Sequence, residues 1–304
     1  IWEAYKKQAE NIYRYAVFFR SSDREMCTKY RPLPFHSSLF EGPITKGKDM
    51  WSSCTPYSRC SVSPCGAPNV GDSLAALKKV VFEDKKATLN EVLDALDANF
   101  EGYDILYKQL CDAPKYGNDI DYVDDIVSDV IRHAVDVITP LKGCNGTKMN
   151  VSPAALTGNV PLGSIVGALP DGRKAGLPIS EGGVSPYQGR NVSGPLATYR
   201  SVGKIDHIRC TNGTIFNMRF SPNALKDRVS IKKFEMMMRE YLEEGGFFVQ
   251  YNIVDTETLR AAQREPEKYK DLLVRVATYS AYFVELGKNL QEDIINRCMM
   301  EEMN

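Results

Sequence analysis

Long apolar runs are missing from this sequence, and histidine and tryptophan are scarce: three His and two Trp in 304 residues. No stretch approaches the roughly 20 apolar residues that a membrane-spanning helix needs. The histidines, His36, His133 and His207, lie far apart and no HExxH occurs, which argues against a histidine-built metal centre. There is no GxxxxGK[ST], and no GxGxxG opens a helix, so neither kind of phosphate loop is present. An excess of charge is missing as well. The formal net charge is −1, which leaves no footprint for nucleic acid or an anionic membrane surface.

What is there reads as an ordinary globular protein, 43% hydrophobic and 25% charged, long enough for one large domain or two modest ones. The eight cysteines are scattered. A chain of this length builds its own core without a disulfide framework, so reduced thiols in a cytoplasm are expected. Sequons at Asn145, Asn191 and Asn212 keep a secreted alternative open. Cys54, Cys60 and Cys65 lack the close CxxC pairing of zinc sites, so no metal is expected there. The sequence opens at Ile1 inside a helical pattern (Trp2, Tyr5, Ala9, Ile12, Tyr13, Ala16), with no signal peptide, and reads as a piece of a longer polypeptide.

Periodicity predicts a helix over 1–20, an irregular stretch over 31–71 and helices through 72–139. Thr88 and Glu91 have capping-box spacing. Residues 143–193 are dense in Gly and Pro around one short apolar stretch, Ser164–Ala168, and read as a long surface loop or a functional one. "GTIFNMRF", "GFFVQYNIV" and "DLLVRV" read as strands, with helices over 230–243, 256–264 and 286–300. Strands alternating with helices predict an α/β fold with parallel pairing.

Few residues invite chemistry. His36 and Glu41, in "PFHSSLFEGP", could handle protons, although such residues are usually solvated. His133 sits in a periodic helix and reads as structural. The segment "RVATYSAYFVEL" is apolar and aromatic, so its loop is expected to point inward.

That segment resembles the R-V-x-G-Y-x-x-x-F-V-E-L signature of glycyl radical enzymes, the pyruvate formate-lyase-like family. "GALPDGRKAG", "EGGVSPYQGR", "NGTIFNMRFSP", "GDSLAALKKVVFEDKKAT" and "LDANFEG" are similar to the same family, in the same order. The resemblance implies the C-terminal part of a ten-stranded α/β barrel. A mainly helical half is expected over 1–142 and a glycyl radical domain over 143–304. It implies a glycyl radical installed by a separate S-adenosylmethionine-dependent iron–sulfur activating enzyme, with no cofactor bound in this chain. Anaerobic metabolism, homo-oligomerisation and an upstream part of the same parent chain carrying the thiyl cysteine are further implications.

Arg275, Val276, Ala277 and Tyr279 match the radical loop, and Thr278 stands where the family has its radical glycine. A β-branched residue crowds that position, and strain is expected if the backbone there is one only glycine adopts. "SPCGAPN" only superficially echoes the family's cysteine loop, and it lacks the glutamate. "PFHSSLFEGPITKGKD" and "LPISEGGVSPYQGR" look closest to the arylacetate decarboxylases. That likeness implies an arylacetate substrate, with Glu41 the candidate proton handler. The competing implication is an inactive scaffold of the same fold.

Overall fold

Ala9, Tyr13, Val17 and Ser21 fall at every fourth position, and through them one face of a 29-residue helix is buried. This helix is α1 (Trp2–Tyr30). The computed structural model describes residues 1–143, 146–301 and 303. They form two compact units.

The first unit comprises Ile1–Ser63, Arg132–Ser152 and Arg209–Asn212. After α1 come two short helices, α2 (Pro34–Ser38) and α3 (Pro43–Lys46). The strands β1 (Arg59–Val62) and β2 (Lys148–Val151) then pair in parallel. The stretch predicted as irregular is therefore short helices and a strand, too brief to show a period. Side chains fasten it. Asp49 accepts from Leu33 N at 2.7 Å, from the Ser37 hydroxyl at 2.9 Å and from Trp51 N at 3.0 Å. Arg24, on α1, donates to the carbonyls of Trp51 and Arg59, both at 2.8 Å. His133 is held by the Lys6 carbonyl at 3.2 Å among the rings of Trp2, Tyr5 and Tyr13, a structural role.

The second unit comprises Pro64–Ile131, Pro153–Ile208 and Gly213–Asn304. Its first helices are α4 (Ala67–Leu77), α5 (Leu89–Asp97) and α6 (Asp104–Asp112). They close over Ala76, Val80, Val92, Ala95, Phe100, Leu106 and Leu110. The Thr88–Glu91 capping box forms at the start of α5, with Thr88 N donating to Glu91 at 2.6 Å. The helix α7 (Asp121–Ile138) begins here and ends in the first unit. Short helices α8 (Asn159–Ser164) and α9 (Pro195–Gly203) follow. Then come β3 (Asn217–Phe220), α10 (Arg228–Glu243), β4 (Gln250–Ile253) and α11 (Thr256–Arg264). The chain ends through β5 (Leu273–Arg275), β6 (Ser280–Tyr282), α12 (Lys288–Asn296) and β7 (Met299–Met300). β3 pairs in parallel with β4 on one side and β7 on the other, as the alternation of strands and helices predicts. The last helix is shorter than expected because residues 299–300 join the sheet. No helix among the described residues is long and apolar enough to cross a membrane.

The glycine-rich stretch departs most from a surface loop. Asp171 and Arg173 are each 1% exposed. Arg173 donates to the carbonyls of Gly163 at 2.6 Å, Gly167 at 2.7 Å and Leu177 at 3.0 Å. Asp171 accepts from Asn69 at 2.7 Å and from Arg173 N at 2.8 Å. Buried backbone without a ladder needs such partners. Glycine serves two needs there: Gly176 takes a φ of 77°, and Gly183 lies against the Pro153 carbonyl with no room for a Cβ. Gly183→Ala should therefore lower the unfolding free energy by about 3 kcal/mol or more. Gly176→Ala meets open space and should cost only about 1–2 kcal/mol. Urea denaturation of the two variants checks both.

Beneath this stretch Asp72 is fully buried, with one oxygen accepting from Tyr116 N at 2.8 Å. Burial pushes its carboxyl up to about 8; the nearby Asp171 charge adds to the rise, and Tyr116 N–H, Lys115 and Arg190 oppose it. An unfolded aspartate ionises near pH 4, about 3.9. Between there and the folded value the folded chain holds a proton that the unfolded chain has lost. Stability should then fall as pH rises through this window, by at most about 1.4 kcal/mol per unit. Asp72→Asn keeps the acceptor for Tyr116 and should flatten that slope, read from urea midpoints across the window.

Candidate functional site

The signature segment folds as a hairpin rather than as a strand running straight into a helix. β5 and β6 pair antiparallel, with Arg275 opposite Ser280, and residues 276–279 make the turn. Val276 N donates to the Tyr279 carbonyl at 3.0 Å. Val274, Val276 and Phe283 anchor the hairpin in a core with Val254, Leu259, Ile294 and Ile295.

The sheet beside it has a buried polar face. Asn217 and Arg219 on β3 stand in register with Gln250 and Asn252 on β4. Alternation places all four on one side, and all are buried. Asn252 grips the hairpin backbone twice: Arg275 N donates to its Oδ1 at 2.7 Å, and its Nδ2 donates to the Arg275 carbonyl at 2.6 Å. The Arg275 side chain donates from Nε to Gln250 Oε1 at 2.9 Å. Gln250 in turn donates to Asn217, and Asn217 to Glu181. Burial raises the Glu181 carboxyl above the usual range, while Arg297 and Asn217 pull it back.

A second hold comes from just past the C-terminal end of α12. Arg297 donates through Nη1 to the Val276 carbonyl at 3.0 Å and through Nη2 to Asp293 at 3.1 Å. Asp293 also accepts from Asn159 at 2.9 Å and Gln188 at 2.7 Å. The pair is buried, so removing either partner would leave an uncompensated charge in the interior.

The predicted residues fall unevenly on this frame. Arg275, Val276 and Ala277 are the fastened base of the turn, and Val276 and Ala277 are wholly buried. Thr278 and Tyr279 are exposed on this chain, against the expectation that the whole loop points inward. The clamps act on 275 and 276, and the tip lies outside the core that anchors the hairpin. Nor is Thr278 strained, since it is not among the non-glycine residues with positive φ. Its backbone is one that L residues adopt.

The other candidates are not part of this hairpin. Glu41 and His36 are exposed in the first unit, Glu41 in the turn between α2 and α3. Cys65 precedes α4, and burial raises its thiol, which makes it a poor nucleophile. His207 is buried between the Thr214 hydroxyl at 2.8 Å and the Val202 carbonyl at 2.9 Å, and burial lowers its affinity for a proton. No metal-binding group of His, Cys, Asp or Glu occurs among the described residues.

Sequence reasoning missed Glu181, Asn217, Gln250, Asn252 and Arg297. A signal existed for three of them. Asn217 and Arg219, then Gln250 and Asn252, are polar at a spacing of two inside strands otherwise apolar and aromatic, which marks a polar sheet face.

Comparison with known proteins fits this geometry. The profile described as "Pyruvate formate lyase-like" matches residues 1–163, and that described as "Glycine radical" matches 180–284. The chain belongs to the pyruvate formate lyase-like family of glycyl radical enzymes. It is 36% identical over 298 residues to trans-4-hydroxy-L-proline dehydratase of Clostridioides difficile, covering 98% of this chain and 38% of the dehydratase. It is 32% identical over 324 residues to the 4-hydroxyphenylacetate decarboxylase glycyl radical subunit of the same organism, covering 99% of this chain and 36% of that subunit. The glycerol-bound, B12-independent glycerol dehydratase of Clostridium butyricum superposes with a TM-score of 0.93 at 38% identity, over 98% of this chain and 38% of that one. The fold is thus part of the ten-stranded α/β barrel of these enzymes. The chain spans a little over a third of the length of these relatives.

The Asn252 grip yields a direct expectation. Asn252→Ala leaves Arg275 N–H and C=O without their partner in a partly buried site. It should cost about 1–3 kcal/mol, measured by urea denaturation.

Proposed function

We propose that this chain supplies the loop-bearing part of a glycyl radical lyase, and that Thr278 keeps the chain as it stands from storing the radical. One observation carries the reading: the hairpin is clamped at Arg275 and Val276, while its tip holds threonine in the glycine position. A Cα radical is stabilised by delocalisation into both flanking amides, which favours a planar Cα. Glycine meets that demand because it carries no Cβ. The branched side chain of Thr278 would press on the neighbouring amide groups in the planar form. Thr278 therefore does not fit the radical, and no reaction step is assigned to it.

For the intact parent we propose decarboxylation of an arylacetate, with Glu41 as the proton handler. The segments around Glu41 and Ser180 support this reading. Dehydration of a small hydroxylated substrate is the second reading. It is favoured by the 36–38% identity to the two dehydratases, against 32% to the decarboxylase subunit. The proposed partners are an activating enzyme, the rest of the parent chain and a second copy, in an anaerobic cytoplasm.

Electron paramagnetic resonance after anaerobic treatment with a family activating enzyme tests the block. The chain should give no glycyl doublet, and Thr278→Gly should give one. A doublet from the unaltered chain would sink the reading. In the full-length parent carrying Thr278→Gly, turnover of 4-hydroxyphenylacetate against glycerol then separates the two substrate readings.

A further inference from the structure

Residues of both holds on the hairpin line one cavity of about 20 Å³, whose walls include Glu181, Gln188, Asn217, Arg297 and Cys298. A water molecule needs about 10–15 Å³ of such space, so the cavity has room for one.

Its walls also carry polar atoms without a protein partner. The Arg297 side chain is 5% exposed, and two of its nitrogens are bonded, to Val276 and Asp293. Its Nε has no protein partner among the described residues. Gln188 donates from Nε2 to Asp293, yet its Oε1 is buried and likewise unpartnered. One is a donor and the other an acceptor, and both belong to residues facing the same small cavity. Leaving a guanidinium N–H unsatisfied in a buried site is costly, and a water supplies the missing bonds to both atoms.

We propose that one ordered water occupies this cavity, accepting from Arg297 Nε–H and donating to Gln188 Oε1, and that it makes Arg297 and Glu181 positioning residues for the hairpin. Its second hydrogen is available to the Glu181 carboxyl. The water then closes a ring. One side runs from Arg297 to the Val276 carbonyl. The other runs from Glu181 through Asn217 and Gln250 to the Arg275 side chain. The two sides end on adjacent residues, so the ring fixes the direction in which the turn leaves the sheet. This inference goes beyond the functional reading and does not depend on radical storage.

A high-resolution crystal structure of the chain, with amide hydrogen exchange of the same protein, tests it. The expected result is a single water peak within hydrogen-bonding distance of Arg297 Nε and Gln188 Oε1. Cys298→Val adds a methyl group at the cavity wall. It should remove the peak and speed exchange of the Arg275 and Val276 amides about tenfold, the loss expected for one hydrogen bond, with α10 unchanged. Cys298→Ser should keep both the peak and the slow exchange. A dry cavity in the unaltered chain overturns the proposal. So does a Cys298→Val variant that expels the water and leaves exchange at 275 and 276 as it was. If Cys298→Val does not fold, the density in the unaltered chain still decides occupancy.

Discussion

The hairpin at residues 276–279 has its direction because side chains hold its backbone. A two-stranded ribbon of three residues a side is marginal by itself. Here Asn252 replaces a missing neighbour strand, bonding both the N–H and the C=O of Arg275 as a ladder partner would. Arg297 takes the next carbonyl along, that of Val276. The β3–β4 sheet, α12 and the glycine-rich stretch all bear on these bonds: the sheet supplies Asn252 and Gln250, α12 supplies Asp293, and residues 181–188 supply Glu181 and Gln188.

That dependence explains why the glycine-rich stretch is buried. Its polar side chains cross the interior to meet the clamps, so its own backbone must also go inside and find partners there. Arg173 provides them by bonding several carbonyls, and Asp171 fixes the turn that presents Arg173. Glycine at 183 lets this backbone pass against Pro153. Composition alone suggests turns, and turns usually mean surface. What composition cannot express is that one buried arginine can do for several carbonyls what a strand neighbour does in a sheet.

The elements with a strong local code were legible in the sequence: α1 through its four-residue spacing, α5 through Thr88 and Glu91, and the parallel β3–β4 pair through alternation of strand and helix. The loop itself was legible through its resemblance to the radical segment, and the family profiles agree. The clamps were not. Asn252 and Arg275 are 23 residues apart, and Glu181 and Asn217 are 36 apart. Nothing local marks such pairs, because a polar residue on a strand reads as solvent-facing until the fold shows which face is covered. The hairpin form of the segment was hidden for a related reason: β6 is three residues long and leads directly into a short 3₁₀ turn at Phe283–Glu285.

The clamps also show how this fold can carry threonine at the tip. The side-chain clamps on the hairpin act on Arg275 and Val276, and Thr278 has an ordinary backbone outside the core. A side chain at that point therefore costs this part of the fold little. Radical storage makes the opposite demand. It asks nothing of the clamps beyond placement, and it asks for a planar Cα with no substituent at the tip. Fold and chemistry thus depend on different residues of one four-residue turn. A change at 278 can remove the chemistry and leave the architecture standing, which is why a resemblance that runs nearly end to end identifies the family without implying that this chain performs the family's reaction.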